Sequence, residues 1–99
     1  MPPRGRARIL RFEMASSRGA VPRAVERILE HVASAGLSES QTSNLAIALS
    51  EALANAAIHG NQLDPDRCVN VAVRTASGEA TVDIRDAGPG FDHSGVRSG

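Results

Sequence analysis

Three polar side chains stand where chemistry could be done: Glu51, Asn55 and Asp86. From Ser40 through Leu63 the sole Asp, Glu, Lys or Arg is Glu51, and Asn55 follows it by four residues. On a helix that spacing stacks the two side chains on one face, so a carboxylate and an amide project together into one small patch. A solvated polar stripe would be the ordinary account. The neighbours argue against it, because Ile47 and Ile58 flank the pair, Ala48 and Ala54 crowd it, and Leu45, Leu49, Ala52, Leu53 and Ala56 fill the rest. A helix apolar nearly all round is expected to be buried. A buried carboxylate is costly unless it is paired, hydrogen-bonded or facing a ligand cavity, and Asn inside a helix costs roughly 0.5 to 0.7 kcal/mol against Ala. Function is therefore the expected reason for both. Asp86 opens a second candidate segment, Asp86-Ala87-Gly88-Pro89-Gly90-Phe91. Its two glycines let the backbone approach a flat ligand closely and pass into a mobile segment, while Phe91 can anchor the loop.

The elements that must carry these residues follow from periodicity. Leu10, Phe12 and Met14 alternate with Arg11 and Glu13 as a half-buried strand. Ser16 to Ala20 reads as a loop. Pro22 suits a first helical position, and Val25, Ile28, Leu29 and Val32 follow at helical spacing until Gly36, so a helix is predicted over Pro22 to Ala35. Ser38 and Gln41 have capping-box spacing. A second helix is predicted from Glu39 to His59, with Gly60 in the left-handed C-terminal position. Asn61 to Arg67 is polar and turn-rich. Val69, Val71 and Val73 then alternate as a strand over Cys68 to Thr75, Ser77-Gly78 turns, and Ala80, Val82 and Ile84 form the next strand, Ala80 to Asp86. Asp86 falls in register with that strand's apolar face, which sets its carboxylate at the edge of the core.

Composition narrows the classes. Ninety-nine residues make one domain, residues 1–99, of which 1–7, rich in Pro, Gly and Arg, is expected to be disordered. The net charge is zero, so no global field recruits nucleic acid or a membrane surface. All eleven basic residues are Arg, which excludes a P-loop and the Lys-dependent ATP site of conventional protein kinases. The lone Cys68 forms no internal disulfide, and no eighteen-residue apolar run or signal-peptide pattern occurs. A cytoplasmic location is expected.

The run Glu51-Ala52-Leu53-Ala54-Asn55-Ala56-Ala57-Ile58-His59-Gly60 resembles the N box of the Bergerat-fold (GHKL) ATPases, and Asp86-Ala87-Gly88-Pro89-Gly90-Phe91 resembles their G1 box. That superfamily includes sensor histidine kinases, type II topoisomerases and mismatch-repair ATPases. The short first strand, the first helix and the ending Ile58-His59-Gly60-Asn61 look most like the bacterial anti-sigma-factor serine kinases, and the resemblance covers roughly residues 8 to 92. It implies a histidine-kinase-like ATPase fold: an α/β two-layer sandwich with both helices on one face of a small mixed or antiparallel sheet, in the order strand, helix, helix, strand, strand. It also implies roles. Glu51 would be the general base for a water or a partner's serine hydroxyl. Asn55 would hold Mg²⁺ beside the ATP phosphates. Asp86 would accept a hydrogen bond from the adenine amine, Gly88 would give the base access to the backbone, and Gly90 would hinge a lid, with Phe91 beside it. Gly60 would belong to the nucleotide site, and so would His59 unless a helix C-terminus alone accounts for its imidazole.

The family continues past G1 into a lid with a second Gly-rich box that clasps the phosphates. The sequence to Gly99 shows no such box, so the expectation is a C-terminally truncated fold in which His93 to Gly99 begins a lid, the Ala80 to Asp86 edge is unpaired and nucleotide affinity is weak. Expected partners are a sigma factor, an anti-anti-sigma antagonist protein and a second copy of the chain, joined through Arg8 to Met14 or the bare edge. Nucleic acid and membrane are not expected partners. The function implied is an ATP- and Mg²⁺-binding anti-sigma-factor-type serine/threonine kinase acting by partner switching. The alternatives are a nucleotide-binding protein-interaction module without kinase activity, or a detached catalytic domain of a sensor histidine kinase.

Overall fold

The computed structural model describes residues 8–87 and 93–98. Strand β1 (Arg8–Ala15) precedes helices α1 (Val21–Val32) and α2 (Glu39–Asn55), which are followed by strands β2 (Cys68–Ala76), β3 (Glu79–Arg85) and β4 (His93–Ser98). The strands form one antiparallel sheet in sequence order, β1-β2-β3-β4. Period-2 alternation sets its register. Leu10, Phe12 and Met14 lie opposite Val73, Val71 and Val69, and Val71, Val73 and Thr75 lie opposite Ile84, Val82 and Ala80. One face of the sheet thus presents a contiguous apolar surface, and the helices cover it. The expected α/β two-layer architecture is the one found.

Helix α1 buries Val21, Ala24, Val25, Ile28 and Val32, residues three and four apart on one stripe. Gly36, at φ +80, stops the chain after a short 3-10 turn. The Ala35 carbonyl there accepts a 2.7 Å hydrogen bond from the Gly78 amide, which ties the β2–β3 turn to the end of the first helix. Helix α2 starts as its capping box predicts, with Ser38 N–H donating to Gln41 Oε1 at 2.8 Å and Gln41 N–H to Ser38 Oγ at 3.1 Å. Leu45, Leu49 and Leu53 point into the core with Ile28 and Ile84. Full burial of each of these side chains contributes about 1.5 to 3 kcal/mol.

Two expectations fail here. The sequence suggested that α2 is enclosed on all sides, but only its leucine face is buried, and Ile47 on another face is 60% exposed. The physical reason is that the packed layer is two elements deep, so a helix lying on the sheet has one side with nothing against it among the described residues. The second concerns the chain after Asp86. Residues 93–98 do not begin a lid but return as β4 beside β3, with Val82 opposite Val96 and Ile84 opposite Ser94. The edge of β3 expected to be bare is therefore paired, and the outer strands of the described sheet are β1 and β4.

Candidate functional site

Glu51 and Asn55 occupy the last turns of α2, four residues apart, and both are exposed. The structure corrects the expectation that Glu51 is hidden: its carboxylate stands on the open side of the helix, where a second molecule can reach it. Asn55 is the last α-helical residue. Beyond it the helix widens into a π-helical turn, Ala56–Gly60, with Asn61 N–H donating to Ala56 O at 2.8 Å and Leu63 N–H to Ala57 O at 2.8 Å. Such wide turns are frequent at functional sites. Here the turn inserts Ala56 and Ala57 into the core while His59 remains exposed.

The widened turn also alters the reading of Gly60. A left-handed helix stop was expected there, yet the positive-φ residues of this region are Gln62 and Leu63, at φ 54 and 55. Gly60 is instead required by a neighbour. A Cβ at this position would lie 2.7 Å from the Cβ of Asp86 and would overlap the Asp86 carboxylate itself. The absent side chain thus forms the notch that receives Asp86, and the two motifs, 26 residues apart in sequence, meet at this contact. Asp86 is half-buried just past the end of β3. This agrees with its predicted place at the rim of the core.

Asn61 lies next to that notch and is fully buried. Its Oδ1 accepts the Ala87 N–H at 2.6 Å, and its Nδ2 donates to Ser16 Oγ at 2.8 Å. The Ser16 hydroxyl in turn donates to the Arg67 carbonyl. Every polar atom in this chain of bonds has a partner, which is what burial requires. The following loop is fixed by Asp64 N–H to Asn61 O at 3.0 Å, Arg67 N–H to Asp64 O at 3.0 Å and an Asp64–Arg67 ion pair at 3.5 Å. The sequence reading placed Asn61 in a polar turn and Ser16 in a loop. Neither position carries a local signal, because the partners of Asn61 are 45 and 26 residues away and those of Ser16 are 45 and 51 residues away.

Glu51 and Asn55 are thus brought to one exposed helix end, and Gly60 to Asp86. Gly88, Gly90 and Phe91 lie outside the described residues. Among the described residues no group of three or more His, Cys, Asp or Glu could hold a metal ion. The Asn55 amide oxygen, exposed at the helix end, is a hard donor of the kind that Mg²⁺ accepts, and a cation there would take its remaining ligands from phosphates and water. No described helix is long and apolar enough to cross a membrane.

The structure is a two-layer α/β fold in which Asp86 is seated against Gly60 at the rim of the sheet, past the helix end that carries Glu51 and Asn55. The model of the histidine kinase-like ATPase domain matches residues 14–98, and the chain belongs to that family. No curated protein matches the sequence. The family is an ATP-binding one, and the site described above lies wholly within the matched residues.

Proposed function

We propose that this domain binds ATP with Mg²⁺ and serves as an anti-sigma-factor-type serine/threonine protein kinase, regulating a bacterial sigma factor by partner switching. The observation that carries the reading is the seating of Asp86 in the Gly60 notch, which holds a carboxylate half-buried and fixed at the rim of the core. A carboxylate so held accepts the exocyclic amine of adenine and meets the carbonyl of guanine unfavourably. Gly88, Gly90 and Phe91, which lie outside the described residues, are assigned to the adenine site by the family resemblance alone. Asn55 offers its amide oxygen to the cation, with His59 beside it at the helix end. Mg²⁺ held there would supply charge neutralisation of the ATP phosphates.

Glu51 then acts as the general base. As a serine oxygen on the antagonist protein attacks the γ-phosphorus, its proton passes to the Glu51 carboxylate, the bond to the β–γ bridging oxygen breaks and ADP leaves. The exposure of Glu51 supports a protein substrate, since a carboxylate enclosed in the core could not be reached by a residue on a partner. The sigma factor and the antagonist would be bound in alternation.

Transfer of label from γ-labelled ATP to an antagonist protein, with its acceptor serine replaced by Ala as the control, tests the reading. Acid-stable phosphoserine is expected. ATP binding without transfer would favour a protein-interaction module that lacks kinase activity, and an acid-labile phosphohistidine on a separate protein would favour the catalytic domain of a sensor histidine kinase.

A further inference from the structure

We infer that Asn61 is a positioning residue for nucleotide selectivity, holding the backbone at Ala87, and through it the Asp86 carboxylate, against the end of the second helix. The inference rests on the proposed role of Asp86 toward adenine. Strand β3 pairs with β2 only as far as Arg85, which lies opposite Asn70. Asp86 and Ala87 are past the last rung of that ladder. Among the contacts that hold them are the Ala87 N–H bond to Asn61 Oδ1, at 2.6 Å, and the Gly60 notch beside it.

The arrangement is directional. If the Asn61 amide were turned over, Nδ2 would face the Ala87 N–H, donor against donor, and the oxygen would face Ser16. The Ser16 hydroxyl, committed to the Arg67 carbonyl, accepts from Nδ2 and thereby holds the amide the right way round. Three segments, at Ser16, Asn61 and Arg67, are thus coupled to the one backbone amide that follows Asp86. Ala87 itself is exposed. Its N–H is consequently expected to exchange slowly only because Asn61 accepts it.

The test uses the full chain without nucleotide for hydrogen exchange, and calorimetric titration with ATP and with GTP for selectivity. Wild type should prefer ATP, and Asp86→Asn should lose that preference. Asn61→Ala should lower the ATP-over-GTP preference about tenfold, Ser16→Ala about threefold, and Ser16→Thr should restore it, with GTP affinity changing less than about twofold throughout. In both Ala variants the Ala87 amide should exchange at least about tenfold faster, while the amides of Val73 and Val82 in the central strands keep their relative protection. A purely architectural role would shift those core amides and leave the preference unchanged. If wild type shows no preference, or Asp86→Asn retains it, the adenine role of Asp86 fails and the positioning role fails with it. If those two behave as stated but folded Asn61→Ala keeps the wild-type preference and Ala87 protection, the positioning role alone is overturned. Should Asn61→Ala not fold, Ser16→Ala decides by the same two measurements.

Discussion

Replacing Gly60 by Ala perturbs the contact on which the functional reading depends, and the structure sets the size of the effect. The new Cβ would stand 2.7 Å from the Asp86 Cβ, against about 3.4 Å for ordinary contact, and would overlap the carboxylate more closely still, so one side must give by at least about 0.7 Å. Asp86 cannot retreat freely, because the Ala87 amide is bonded to buried Asn61. Overpacking of this kind costs about 1 to 3 kcal/mol. Removing Gly from a helical turn returns up to about 1 kcal/mol, since Gly60 does not use a positive φ. The net loss of stability should be about 0 to 3 kcal/mol, read from urea denaturation at unchanged m-value. ATP affinity should suffer more. A displaced carboxylate gives up a charge-assisted hydrogen bond worth about 1.5 to 3 kcal/mol, or roughly 10- to 150-fold in Kd. Two controls isolate the cause. Gly19→Ala meets nothing within 4 Å and should leave both quantities unchanged. In an Asp86→Gly background, which removes every Asp86 side-chain atom, Gly60→Ala should no longer destabilise. Wild-type stability together with wild-type ATP affinity in Gly60→Ala would refute the notch, and persistence of the destabilisation without the Asp86 side chain would refute its cause.

Other residues give independent tests. Asp86→Asn should keep the fold, since the side chain changes little in shape, and should weaken ATP at least about tenfold in calorimetry; equal binding would refute the adenine assignment. Asn55→Ala should remove the Mg²⁺ dependence of ATP binding while stabilising the unliganded domain by about 0.5 kcal/mol, as expected for an exposed helix position; unfolding instead would make Asn55 a structural hydrogen-bonder. Glu51→Ala should abolish phosphate transfer and retain ATP, and persisting transfer would remove Glu51 from the reaction. With β4 paired to β3, self-association is expected through β1, where Ile9 is 57% exposed. Light scattering at micromolar concentration should give about twice the 10.3 kDa monomer mass, and Ile9→Lys should lower it; a wild-type monomer refutes this.

What the sequence discloses is what short-range periodicity encodes. Alternating valines place β2 and β3 with their inward faces correctly assigned, and Ser38 with Gln41 starts α2 at the residue found. The Glu51–Asn55 spacing correctly places both residues on α2, and the alternation of β3 correctly sets Asp86 at its end, since each depends only on the geometry of one element. Burial of α2 is different in kind. An apolar composition shows that a helix can be enclosed but not that a layer exists to enclose it, and Ile47, Glu51 and Asn55 are exposed because the described fold places nothing over them. The return of residues 93–98 to the sheet is equally illegible, because Ser94, Gly95 and Arg97 give only a weak strand pattern and the pairing is decided by the unsatisfied edge of β3.

The misreading of Gly60 bears most directly on function. In sequence, a glycine after a long helix means a left-handed stop, and that inference is local. In the fold, the π-helical turn carries the chain past Gly60 without a stop, and the left-handed residues come two and three positions later, at Gln62 and Leu63. Gly60 is thereby freed to be a point of close approach, and Asn61, immediately after it, turns inward as a buried hydrogen-bonding hub. The same ten-residue run consequently has two tasks. Its first half presents Glu51 and Asn55 outward, where the proposed function needs them. Its last residue, with Asn61 behind it, receives the segment that begins at Asp86. On the proposed function, one helix end couples the reactive groups to the base-recognising carboxylate, so a disturbance at Gly60 or Asn61 is expected to change which nucleotide is held before it changes whether the domain folds.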